Sequence, residues 1–192
     1  MPTVSPAPGL GLGGWGVVLL VVAAALPVLL ATRPVLVRLR EPAEPEGKAP
    51  YRELPTRRFV LTCTALAAGG ACLVALTLPP ATWPLWWVLC APALVLVAVD
   101  ARTTWMPLGL THVVWVAMAG AGALGGFLGG APLLGRSVVG AVATALLYRA
   151  LRRGGLGFGD VRLAPVLGAA SAAVSWPTPF TTLLLGSLVG AV

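Results

Sequence analysis

Two aspartates stand apart from every other acidic residue of this 192-residue chain: Glu41, Glu44, Glu46 and Glu53 share one polar loop, while Asp100 and Asp160 each border a long apolar stretch. An ionisable group in such surroundings is expensive. Asp at mid-bilayer costs roughly 2.5 to 3.5 kcal/mol on insertion scales and is a functional-site hypothesis by default. Two carboxylates brought close together share a proton, one acting as base toward a water and the other as acid toward a carbonyl or leaving amine. Gly157 and Gly159, just before the second aspartate, permit tight backbone geometry and the close approach of an extended substrate. Taken singly, either aspartate also reads as a plain helix cap or an interfacial charge.

The rest of the chain says what must position them. Hydrophobic residues make up 58% and charged residues 10%, with a mean hydropathy of +0.92, outside the range of water-soluble domains. The chain reads as one all-α membrane domain over 1–192, a polytopic helical bundle. Its net charge of +7 comes from basic residues that flank apolar segments, so it reflects membrane orientation and not a nucleic-acid partner. Cys63, Cys72 and Cys90 are odd in number, lie in apolar runs and lack C-x-x-C spacing, which argues against a disulfide framework or zinc site. The first apolar run has no basic n-region or persuasive cleavage site, and reads as a retained helix and not a signal peptide.

Punctuation places the spans. A first helix covers 15–31 and ends at Arg33 and Pro34; a polar, Pro-rich loop at 33–58, mostly irregular, follows. The uncharged run at 59–99 is too long for one span, and Pro79, Pro80 and Pro84 divide it into helices at 59–78 and 84–100. A fourth helix lies between Pro107 and the turn at Gly129 and Gly130, and a fifth runs over 132–148, with Arg136 snorkelling outward near its start. A glycine-rich loop at 154–159 leads to a sixth helix at 161–176. The last apolar run, after Pro179, stops at Val192, shorter than the ~20 residues of a span. The expectation is six complete spans plus a partial seventh, with a shortened or incomplete C-terminus.

If the 33–58 loop faces the cytoplasm, alternation puts twelve of the thirteen Lys/Arg on that side, with Arg136 alone opposite. Trp15, Trp83, Trp86, Trp87 and Trp176 then collect at the other boundary as an aromatic belt. Both aspartates emerge at the cytoplasmic face. Asp100 closes a helix and Asp160 opens one, so they meet opposite helix-end fields, each worth about 0.3 to 1 kcal/mol.

Other candidates have plainer readings. Arg102, Arg149, Arg152, Arg153 and Arg162 are candidates to hold a carboxylate or a substrate terminus, against a default of anchoring to lipid headgroups; the position of Arg162 beside Asp160 makes it the strongest. His112, the only histidine, reads as a packed side chain and not a metal ligand, and no cofactor is expected. The glycines between 120 and 130, such as Gly122 and Gly126, suit close helix packing. Glu41, Glu44 and Glu46 form a solvated acidic loop, with attraction of a basic peptide as the sharper alternative.

The segment from Asp100 through Pro107 to Leu110 and Thr111 resembles the first catalytic motif of the type IV prepilin peptidases, in which Asp precedes Pro by seven positions and Leu-Thr follows. Gly157, Gly159, Asp160 and Arg162 resemble their second motif, G-x-G-D-x-K, with Arg for Lys. The resemblance, over roughly 59–192, implies a membrane aspartic endopeptidase of the bacterial inner membrane with Asp100 and Asp160 as the catalytic pair. It implies a partner too: a prepilin-like or pseudopilin precursor cut after a Gly between its basic leader and its apolar helix. The chain departs from larger, bifunctional members in having no cysteine in its loop, so no methyltransferase activity is assigned, and in carrying Leu108 where Asn or Asp is frequent. A proton-coupled transporter is the alternative from another class, disfavoured because both aspartates lie at one face with no evident internal repeat. An inactive membrane adaptor is a third reading.

Overall fold

The computed structural model describes residues 13–41, 49–154 and 157–182. Every regular element among them is helical. The helices are α1 (Gly13–Arg38), α2 (Arg57–Thr77), α3 (Trp83–Val88), α4 (Leu94–Thr103), α5 (Leu108–Gly129), α6 (Ala131–Leu151) and α7 (Phe158–Val174). A π-turn at Leu89–Ala93 joins α3 to α4 and takes in Pro92, whose ring and missing N–H an ordinary helical turn accommodates poorly.

Among the described residues, five helices are long and apolar enough to cross a bilayer: α1, α2, the continuous Pro80–Thr103 run, α5 and α6. At 17 residues, α7 falls short of the ~20 residues of a full span. A further helical stretch starts at Thr178; the rest of the expected partial seventh span, 183–192, lies outside the described residues. Leu66, Leu73, Leu76, Val116, Phe127 and Leu146 are each more than half exposed. Such a belt of bare apolar side chains suits lipid, and the chain is a multi-pass membrane protein.

Local sequence explains most boundaries. The Thr56 hydroxyl accepts the Phe59 N–H at 3.2 Å and starts α2, and Pro79 and Pro80 follow its end. Phe59, Cys63, Ala67, Ala71 and Val74 then form one buried stripe, which α1 covers. Gly130, at φ +83°, makes the turn between α5 and α6.

Two expectations need correction. The first helix does not stop at Pro34: α1 passes through both Pro27 and Pro34 to Arg38. The missing N–H of Pro27 leaves the Ala23 carbonyl without its helical donor, and Trp87 Nε1 supplies one at 2.9 Å from α3. Trp87 is therefore a brace between helices. The 33–58 loop is more ordered than its composition implied, because α1 occupies its first residues, Tyr51–Glu53 forms a helical turn, and Tyr51 and Leu54 are buried. Near the start of α6, Arg136 is half-buried, and its Nε has no hydrogen-bond partner among the described residues.

The closest helix approach among the described residues lies between α6 and α7. A Cβ at Gly122 would find an ordinary 3.7 Å contact with Ser137 Oγ, whereas one at Gly140 would strike Ala172 and the Gly168 carbonyl. Gly140 on α6 and Gly168 on α7 thus let two backbones meet, and Thr144 Oγ1 donates across the same seam to the Ala164 carbonyl at 2.8 Å. Within the run at 120–130, Gly125, Gly126 and Gly129 do pack tightly, against Leu85, Leu134 and Leu133 respectively.

Candidate active site

Asp100 lies near the end of α4 and Asp160 in the first turn of α7. The second motif enters its helix earlier than expected. Gly157 is the residue before α7, so Phe158, Gly159 and Asp160 are already helical, and residues 155–156 of the expected loop lie outside the described residues. This places Gly159 on the Asp100 carboxylate: a Cβ added there would be 3.2 Å from Oδ2 and 3.5 Å from Oδ1 of Asp100, and 3.2 Å from Met106 Cε. A Cβ at Gly157 would be 3.2 Å from Asp160 Oδ2. Each glycine of the G-x-G-D segment therefore leaves room for one carboxylate. Asp160 is exposed and Asp100 half-buried, and Asp160 is close enough to act on Asp100 electrostatically.

The turn after Asp100 is unusual. Thr104 has φ 55°, a left-handed conformation that is strained for a β-branched residue, at a cost of about 1 to 3 kcal/mol. Its N–H donates to the Asp100 carbonyl at 2.6 Å, which ends α4 sharply. Thr103 Oγ1 shares its one proton between the Val99 carbonyl at 2.9 Å and the Trp105 carbonyl at 3.1 Å, and accepts the Trp105 N–H at 3.2 Å. Pro107 then precedes α5, and its carbonyl accepts both the N–H and the hydroxyl of the fully buried Thr111, each at 3.0 Å. Leu108, in the first turn of α5, is exposed.

Arg162 links the two motifs. Its Nη1 donates to the Met106 carbonyl at 3.2 Å, and its guanidinium lies 4.2 Å from the centroid of the Phe158 ring. Arg152 also lies over that ring, at 4.6 Å, while Arg102, Arg149 and Arg153 are exposed. Trp115 Nε1 on α5 donates to the Arg162 carbonyl at 2.9 Å. His112 is exposed one turn away, tilted against Trp115 with ring centroids 5.9 Å apart, so its expected packed position is not what it occupies. The described residues contain no group of three or more His, Cys, Asp or Glu placed to hold a metal.

Several contributors escaped sequence reasoning. Met106, Phe158 and Trp115 carry no polar pattern that marks them. Tyr51 had one signal, as the sole aromatic residue of 33–58. Its phenol donates to the Trp105 carbonyl at 3.3 Å. Burial, then the charges of Glu41 and Asp100, push that phenol above its ordinary range, which puts Tyr51 within electrostatic reach of Asp100. Glu41 is not a free charge of the loop: its carboxylate oxygens accept the Tyr51 N–H at 3.0 Å and the Arg52 N–H at 3.3 Å. Glu44 and Glu46 lie outside the described residues.

Fold and site together define a class: a multi-pass helical membrane protein with two aspartate motifs joined at one end of its bundle. Within that class the chain belongs to the type IV leader peptidase family, whose model matches residues 87–192 and so includes both motifs. It is a protease of the leader-peptidase type, and a family of this kind implies a precursor protein as substrate. No curated protein and no solved structure matches the chain.

Proposed function

We propose that this protein is an aspartic endopeptidase of the bacterial inner membrane that removes the basic leader from prepilin-like or pseudopilin precursors at the cytoplasmic face. The observation that carries the reading is the seating of the Asp100 carboxylate against Gly159, the residue before Asp160. In this reading one carboxylate takes a proton from a water as the oxygen adds to the scissile carbonyl. The other, protonated, donates to the carbonyl oxygen; as the C–N bond breaks, the first gives its proton to the leaving amine and the second takes one back from a hydroxyl of the gem-diol. Gly157 and Gly159 keep space beside both groups, while Pro107 and Arg162 hold the two motifs in register. The cytoplasmic assignment rests on the charge pattern, since Arg38, Arg57, Arg102 and Arg149 all sit at the helix ends that carry the aspartates.

The test is co-expression with candidate pilin-like precursors. Wild type is expected to shorten the precursor, and Asp100→Asn and Asp160→Asn each to abolish processing while still accumulating in the membrane. Processing that survives both substitutions would sink the aspartic mechanism.

A further inference from the structure

The segment between α1 and α2 reaches the candidate site, and it does so through a built contact. The Glu41 carboxylate caps the start of the Tyr51–Glu53 turn by accepting two successive backbone N–H groups. So held, Tyr51 points inward with only 4% of its surface exposed, and its phenol meets the Trp105 carbonyl. That carbonyl also accepts from Thr103, and Thr104 between them binds the Asp100 carbonyl. The phenol therefore closes on the left-handed turn that fixes the end of the Asp100 helix. A strained turn keeps one geometry only where its surroundings over-determine it, and Tyr51 supplies part of those surroundings from a distant segment of the chain, as Arg162 does at the Met106 carbonyl.

The geometry points to Tyr51 as a positioning residue for Asp100: held inward by the Glu41 cap, its hydroxyl fixes the turn at 103–105 and with it the direction in which the Asp100 carboxylate meets Gly159. The kinetic consequence rests on the peptidase reading above; the structural link does not. Tyr51→Phe keeps the buried ring and removes the one hydroxyl, and Glu41→Gln keeps the side-chain shape while weakening the cap.

The experiment measures amide hydrogen exchange in the full chain in detergent micelles, alongside steady-state cleavage of a synthetic precursor. In Tyr51→Phe the amides at 104 and 105 are expected to exchange about five- to tenfold faster, the equivalent of one lost hydrogen bond. The turnover number should fall by a similar factor with KM unchanged, because the substrate still binds and only the carboxylate is misdirected. Glu41→Gln should give a smaller change of the same kind, and decides the matter if Tyr51→Phe fails to fold. Exchange that quickens only within 49–56 would make Tyr51 an anchor of its own segment and overturn the inference, whatever cleavage does. Faster exchange at 104 and 105 with an unchanged turnover number would overturn the positioning role. A wild type that cleaves no precursor overturns the peptidase reading, and exchange alone then decides the link.

Discussion

At Gly159 the missing side chain matters more than any side chain would. Gly159→Ala puts a methyl 3.2 Å from Asp100 Oδ2 and Met106 Cε, so these groups must give slightly, by a fraction of the ~1 Å misplacement that costs about a hundredfold in rate. Gly159→Ala should therefore cut precursor cleavage by about three- to tenfold per folded molecule. Gly157→Ala should cost less, because it meets one oxygen of the exposed Asp160, whereas Gly159 faces both oxygens of the half-buried Asp100 and Met106 as well. Comparing cleavage rates of the two variants, normalised to folded protein, checks the order. Arg162 gives a second contrast. Arg162→Lys preserves the charge, but an ammonium lacks the planar group that lies over Phe158 while also reaching the Met106 carbonyl. A loss of a few-fold is expected, against a larger loss in Arg162→Met, read in the same assay. The aspartates, Pro107 and the glycines were legible in the sequence because their chemistry is tied to short spacings. Met106 and Phe158 were not, since a carbonyl acceptor and a ring under a guanidinium belong to no residue type in particular.

Among elements, the seam between α6 and α7 carries the tightest fit. Gly140→Ala is expected to destabilise the protein by about 1 to 3 kcal/mol, measured as a lower unfolding midpoint in detergent, because neither backbone can yield without moving α7 and Asp160 with it. The helix at Tyr51–Glu53 gives a pH prediction. A phenol whose folded pKa is raised contributes stability fully present below its unfolded value of about 10. That contribution is lost as pH rises through the higher folded value. The stability gap between wild type and Tyr51→Phe should therefore shrink in thermal melts above about pH 10. Helix ends at Pro79, Pro107 and Gly130 could be read in advance, since each acts through its own backbone. The passage of α1 through Pro34, the order around Tyr51 and the meeting of Gly140 with Gly168 could not, because each depends on a partner distant in sequence.

For the whole molecule, the family match starts at residue 87, yet the contacts that complete the candidate site reach earlier in the chain. Tyr51 supports the Trp105 carbonyl, and α1 and α2, packed on each other, both also contact the segment at 83–103. The bond from Trp87 to Ala23 makes the dependence concrete. Trp87 is the first residue of the matched segment, and it completes the backbone of a helix that lies wholly outside it. Expressed as a gene fragment beginning at 87, the family segment would present that indole to lipid and leave α1 behind. Two coding halves divided near Pro79 and produced in one cell offer a different outcome: helices inserted independently, then reassembled in the plane of the membrane, with Trp87→Phe weakening the reunion more than it weakens the unbroken protein.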